Sequence, residues 1–374
     1  MAQGTRLAVL MAGQGCPDAE MTGAVERQLG NTGWIPHARV AAAMARTRAE
    51  RALEQARRLY TRTSFTGCIS LLSISELELS RSLAEPDPAL RGQAHRLLAE
   101  VMLWLGICQW ASGEPQAASS SFVRSAQLPS SPTPDPRLLP PEVVEAYRTA
   151  VSAPRQQVTC HVDPPLRAVD LLVDGKGPTT SGDTLTVPAG SHYLVLQARC
   201  APGPQCDATR QQLGPGGMRS LRLEAQAHHC RIQLPAVRPV EHLTCVNVSE
   251  SEDVGFVAGV TRQVGAARTL VVTQVEHRLA LRLYRAGVSG FQHQLVSSLG
   301  PGDTPARVVA RSVALLLGKQ AEVVAPPPGQ VGPTNPWYTR WWVWALAGAG
   351  VAAITTTVVL VTTRDNRVRV VVGP

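Results

Sequence analysis

The stretch VTCHVDPPLRAVDLLVDGKGPTTSGDTLTVPAGSHYLVLQARC, residues 158–200, decides how the chain is built. Apolar and polar residues alternate through it, and a period of two sends successive side chains to opposite faces of a strand. Asp174-Gly175 falls between two such runs, where both residues can take the positive φ that a tight hairpin turn demands. Residues 155–225 are therefore expected to form a small β domain.

Upstream the apolar period lengthens to that of a helix. Leu71, Leu72, Leu77, Leu79 and Leu83 lead into the breaker Glu85-Pro86-Asp87-Pro88. Leu97, Leu98, Met102, Leu105 and Cys108 mark a second helix, and Ala118, Phe122 and Ala126 a third. A proline-rich loop over 128–141 precedes a short helix with Val143, Val144 and Tyr147. Residues 55–150 read as helical hairpins. Residues 1–54 read as an N-terminal α/β segment, with a strand in TRLAVLMA (5–12) and a helix over 41–59. Downstream, 230–320 reads as a small α/β unit. Its strands are expected at 242–248, 269–275, 279–284 and 293–297, and its helices at 253–264 and 305–317. Thr304 and Pro305 supply the last helix with a cap and a first-turn proline. The fold class is multidomain α+β.

Two parts carry a family resemblance. LGICQWASGEPQAASSSFVRSAQLPS (105–130) resembles half of a tetratricopeptide repeat through Leu105-Gly106, Gly113, Ala117, Phe122 and Pro129. That likeness implies close antiparallel helices, with Phe122 filling a groove and a concave side that binds peptides. Val173-Asp174-Gly175 and Val187-Pro188-Ala189-Gly190, followed by His192, Tyr193 and Val195, resemble the PEGA family of small β-sandwiches. That second likeness implies a structural or binding module and no catalytic site.

Near the C-terminus the run WWVWALAGAGVAAITTTVVLVTT, 341–363, has no charged residue and exceeds the roughly 20 helical residues needed to cross a bilayer. Trp337, Tyr338, Trp341, Trp342 and Trp344 crowd its upstream end, as aromatic side chains do at the headgroup level. A single transmembrane helix is expected over 341–363. It would follow a proline-rich linker (325–336) and precede a short tail (364–374), and its partner is the lipid bilayer. Arg364, Arg367 and Arg369 lie beyond the run against Arg340 before it, which favours a cytoplasmic tail and a periplasmic bulk at a bacterial inner membrane. LAVLMA is too short for an export signal, and Met1-Ala2-Gln3-Gly4 before a strand resembles a mature N-terminus, so the true start is expected upstream. The alternative is a tail-anchored protein with its bulk in the cytoplasm.

Of eight cysteines, five (Cys160, Cys200, Cys206, Cys230 and Cys245) fall between 160 and 245, a density that suggests disulfides in an oxidising compartment. Cys200–Cys206 is the first choice of bridge and Cys230–Cys245 a second. His242-x-x-Cys245 also has the spacing of two zinc ligands. His228-His229-Cys230 are adjacent, however, and on a strand would face opposite ways, so no metal site is assigned. No phosphate-cradling loop, nucleophile elbow or His-Glu-x-x-His occurs, and no catalytic or cofactor-binding residue is expected. The net charge of +8 is scattered Arg without a basic stripe, which argues against a nucleic-acid partner. The expected function is a non-enzymatic, membrane-anchored scaffold binding another envelope protein, chiefly through residues 55–150. Arg96 and Gln109 are the suggested contact residues. The alternative is a sensory protein whose outer domains bind a ligand.

Overall fold

A computed structural model describes residues 7–13, 25, 35, 37–163, 169–177, 184–200, 203–213, 217–226, 230–233, 245–275, 278–300, 303–316, 361–362 and 368–371. The chain is mixed α+β and divides into two compact units. It opens on strand β1 (Leu7–Gly13), whose partners come from the far end of the sequence. Five helices follow: α1 (His37–Thr61), α2 (Phe65–Ser82), α3 (Pro88–Ala111), α4 (Pro115–Gln127) and α5 (Pro141–Ser152). Proline stands at the first position of α3, α4 and α5, where its missing N–H costs nothing. Asp87 caps α3 by accepting from the N–H groups of Ala89 and Leu90.

The helices pair. Between α1 and α2, Thr63 takes φ +57° and the Ser64 N–H reaches the Leu59 carbonyl at 2.9 Å. Between α3 and α4, Gly113 takes φ +82° and the Glu114 N–H reaches the Gln109 carbonyl at 2.9 Å. The same left-handed cap therefore closes both hairpins, fifty positions apart rather than at the 34-residue period of a tetratricopeptide array. The helical region begins at residue 37, so the helix expected in the N-terminal segment belongs to the hairpins.

Seven elements form the β domain: β2 (Gln157–Asp163), β3 (Val169–Val173), β4 (Thr184–Pro188), β5 (Gly190–Ala198), α6 (Pro204–Leu213), β6 (Met218–Ala225) and β7 (Arg231–Gln233). They make two three-stranded sheets, β4-β2-β7 and β3-β5-β6, whose facing sides share a core of Val158, Cys160, Leu185, Leu194, Leu196 and Leu223. Val173, Asp174 (φ +48°), Gly175 (φ +73°) and Lys176 form a two-residue turn closed by a 2.9 Å bond from the Lys176 N–H to the Val173 carbonyl. β5 is buried from His192 to Leu196 without interruption, because it is covered on both sides. Leu194 and Leu196 enter the sandwich, while Tyr193 and Val195 join the core of α2 and α3. Helices and sandwich are one unit in which the sheet β3-β5-β6 lies on the hairpins. The β domain also reaches past the expected limit of 225, to β7.

The second unit contains β1, β8 (Cys245–Val246), α7 (Val248–Glu252), α8 (Val254–Val264), β9 (Arg268–Val275), β10 (Arg278–Arg285), β11 (Phe291–Ser298), α9 (Pro305–Leu316), β12 (Val361–Thr362) and β13 (Val368–Val371). The sheet order is β12-β13-β11-β10-β9-β1-β8, with β1 parallel to both β8 and β9. Every described side chain of β1 is buried, the condition of a central parallel strand. The N-terminal segment is thus no separate α/β unit: its strand completes the sheet of the downstream one. The expected linker 325–336, the aromatic residues 337–344 and residues 341–360 of the expected membrane helix lie outside the described residues. The last part of that run, Val361–Thr362, is strand β12 rather than helix. Among the described residues, no helix is long and apolar enough to cross a membrane.

Candidate functional site

The sheet that lies on the hairpins is fixed there by one carboxylate. Glu76 on α2, 7% exposed, accepts at the same Oε1 from Arg124 Nη1 of α4 (2.7 Å), the Tyr193 hydroxyl of β5 (2.7 Å) and Arg222 Nη1 of β6 (3.1 Å). Arg124 Nη2 also reaches Ser121 Oγ at 3.5 Å, and Ser121 Oγ donates to Gln109 Oε1 at 2.7 Å. A polar chain therefore runs from α3 through α4 and α2 into the sandwich. Burial, reinforced by the Glu76 charge, pushes the Tyr193 hydroxyl far up, so it stays protonated and donates. The cluster ties α2 and α4 to β5 and β6. Gln109, expected on a binding surface, is instead a half-buried strut, while Arg96 is exposed.

A second polar cluster holds the hairpin turn. His192, 1% exposed, meets Asp174 Oδ2 through Nδ1 and the Pro188 carbonyl through Nε2, both at 2.7 Å. Asp174 Oδ1 accepts the Tyr193 N–H at 2.9 Å. Both ring nitrogens thus face acceptors, which suits the doubly protonated ring. Burial opposes that charge, but the Asp174 contact and the Pro188 carbonyl outweigh it and hold the ring above the usual histidine range. With both nitrogens engaged and no nucleophile beside it, His192 has a structural role. His95 of α3 packs on the same turn, and its ring nitrogen would lie 2.8 Å from a Cβ at Gly175. Burial holds His95 below its ordinary range.

The side of the stack away from these clusters is open. An apolar groove of about 690 Å³ runs between α4 and α5, lined by Trp110, Pro115, Ser119, Phe122, Pro141, Ala146, Thr149, Ala150 and Ala153. Its charged lining residues are Glu142 and Glu145, with no cation among them, although the chain carries a net charge of +8. Phe122 forms part of the floor: it packs edge-on against Tyr147, ring centres 5.5 Å apart. Gly106 makes room for it, since a Cβ there would come within 2.6 Å of the Phe122 ring. The small residue packed beneath is Ala118, fully buried, rather than the expected Ala117. A smaller pocket of about 380 Å³ on α1 is lined by Arg51, Glu54, Gln55, Arg58, Leu59 and Arg62, a mostly charged set, whereas the α4/α5 groove has the apolar lining that suits a hydrophobic ligand.

Three disulfides occur among the described residues. Cys200–Cys206 joins the end of β5 to α6. Cys230 pairs with Cys160, not with Cys245. Cys160 lies on β2 and Cys230 immediately precedes its parallel neighbour β7, with Cα atoms 4.4 Å apart, whereas Cys245 opens β8 of the other unit. Cys68–Cys108 ties α2 to α3, a bridge the sequence reading missed because forty residues and a helix–helix crossing separate the pair. No group of three or more His, Cys, Asp or Glu gathers to hold a metal among the described residues. His228, His229 and His242 lie outside those residues. Comparison with family models, curated proteins and solved structures finds no match to this chain.

Proposed function

We propose that this protein is a non-enzymatic scaffold of the bacterial envelope, anchored through the apolar run 341–363, that binds another envelope protein with its helical stack. The observation that carries this reading is the open apolar groove between α4 and α5. Tyr193 and Val195 of the sandwich pack against α2 and α3, and the α4/α5 groove is the larger and more apolar of the two pockets described on the helices. Three disulfides favour an oxidising compartment and hence a periplasmic bulk.

A single crossing at 341–360 would separate Val368–Val371 from β11, so the membrane reading competes with that four-residue pairing. The ladder is worth about 1 kcal/mol per hydrogen bond. Seven Val, Leu and Ile side chains between 343 and 360 each gain roughly 1.5–3 kcal/mol on leaving water. If those side chains otherwise face water, the apolar term exceeds the four-residue pairing and favours the crossing.

Photocrosslinking in native membranes tests the scaffold. A benzophenone side chain is placed in the full-length chain at Thr149, Arg96 or Ile74, all exposed positions on the helices. Recovery of one defined envelope protein from any of the three supports the reading. Capture of nothing from all three overturns it.

A further inference from the structure

We infer that the groove between α4 and α5 receives an amphipathic α-helix of another protein, its apolar face on Trp110, Ala146 and Ala153 and a Lys or Arg beside Glu142 and Glu145. The inference rests on the scaffold reading and adds what kind of segment is bound.

Four helices of the stack form closed hairpins, while α5 runs at Ser152 into the sandwich without a partner helix of its own. One stripe of α5, Val143, Val144, Tyr147 and Ala150, is buried against α3 and α4. The neighbouring stripe presents Ala146, Thr149 and Ala153 to the groove. Side chains this small allow close approach of a second backbone, the role that Gly106 plays opposite Phe122 within the α3/α4 hairpin. At 1.5 Å per residue the twelve residues of α5 span about 18 Å, the length of three turns of a guest helix.

An extended guest fits less well. The groove offers side chains but no strand edge, so an extended backbone would bring its N–H and C=O groups onto an apolar floor without partners, whereas a helix satisfies its own. Charge selects further. Two exposed carboxylates line the groove and no cation does, so an acidic guest is repelled and a basic one drawn in. Arg148 pairs with Glu145 only at 3.7 Å, with both side chains about 68–69% exposed, so it competes weakly.

The test uses the full-length chain in detergent and two synthetic 18-residue helical peptides. Both carry the same Leu/Ala face; one bears Lys and the other Glu at the flanking positions. Fluorescence anisotropy is expected to show the Lys peptide binding at least about tenfold tighter. Glu142→Lys with Glu145→Lys should reverse the preference, and Ala146→Trp should weaken the Lys peptide about tenfold or more. Arg285→Glu, an exposed change of equal charge magnitude in the other unit, should leave binding unchanged. The charge reversal alters exposed residues only, so it stays informative if Ala146→Trp perturbs folding. Equal affinity for the two peptides, or indifference to the charge reversal, overturns the inference. The Thr149 crosslink then identifies the natural guest. A helical segment of another protein with Lys or Arg beside its apolar face supports the inference. A second copy of this chain, or this chain's own residues, overturns it. Capture from Arg96 or Ile74 without Thr149 would sink the groove and leave the scaffold standing.

Discussion

Phe122 is the residue on which the helical stack turns. It is fully buried, its ring stacks edge-on with Tyr147, and it occupies space that only a glycine at 106 leaves open. Phe122→Ala should destabilise by about 3–5 kcal/mol, read from urea unfolding. A loss below 1 kcal/mol would mean the site collapses freely and the packing is not specific. This pair was legible in the sequence through the resemblance of Leu105-Gly106, Gly113 and Phe122 to a tetratricopeptide hairpin. The Glu76 cluster was not. Its three donors lie 48 to 146 positions from Glu76, and nothing local to Glu76 shows that Tyr193 and Arg222 will come to it. Histidine 192 gives the residue scale its pH dependence. Its folded pKa is raised, so the stability it contributes is fully present below the unfolded value of about 6.5 and is lost as pH rises through the folded one. His192→Gln should therefore cost most, about 1.5–3 kcal/mol, between pH 5 and 6. The gap in melting temperature to wild type should narrow toward pH 9; a gap of constant size would show that the ring is neutral throughout. His95, lowered by burial, acts in the opposite sense: its contribution is present above about 6.5 and lost as pH falls through its folded value.

At the scale of elements the disulfides divide by burial. Cys68 and Cys108 are fully buried between α2 and α3, whereas Cys200 at the end of β5 is half-exposed. Reductant reaches sulfur only where solvent does, so a titration with dithiothreitol followed by alkylation and mass spectrometry should label Cys200 and Cys206 first. Cys68 and Cys108 should label only as the chain unfolds. The opposite order would overturn this packing of α2 on α3. With forty residues between its ends, the Cys68–Cys108 bridge should contribute about 4 kcal/mol on loop entropy, and the Cys200–Cys206 bridge, six residues apart, about 2 kcal/mol. The elements themselves were largely readable. Strands expected at 269–275, 279–284 and 293–297 are β9, β10 and β11 within two residues at either end; β10 alternates, whereas β9 is buried without interruption from Thr269 to Thr273. What misled was β5: the expected alternation assumed one wet face, and the five consecutive buried residues record that hairpins cover the other.

The whole molecule shows where local reading stops. Met11 on β1 pairs with Cys245, and the entire helical and sandwich unit is inserted between them. No periodicity within residues 7–13 can announce a partner so remote; the only hint is that the strand is apolar on both faces, which a solvent-edged hairpin would not be. The β1 strand therefore makes the downstream sheet depend on the N-terminus. Deleting residues 337–374 removes the uncharged run and its aromatic border but leaves β1, β8, β9, β10 and β11 and helices α7, α8 and α9 in place. If the run spans the bilayer, the shortened protein should leave the membrane pellet after a high-salt wash and melt cooperatively close to the full-length chain. If instead β13 on β11 is the working arrangement, the full-length protein should already be soluble, and the deletion should expose the edge of β11 and promote association between copies. Fractionation and sedimentation of the two proteins side by side separate these outcomes, and a truncated protein that still pellets would sink the membrane helix as the anchor.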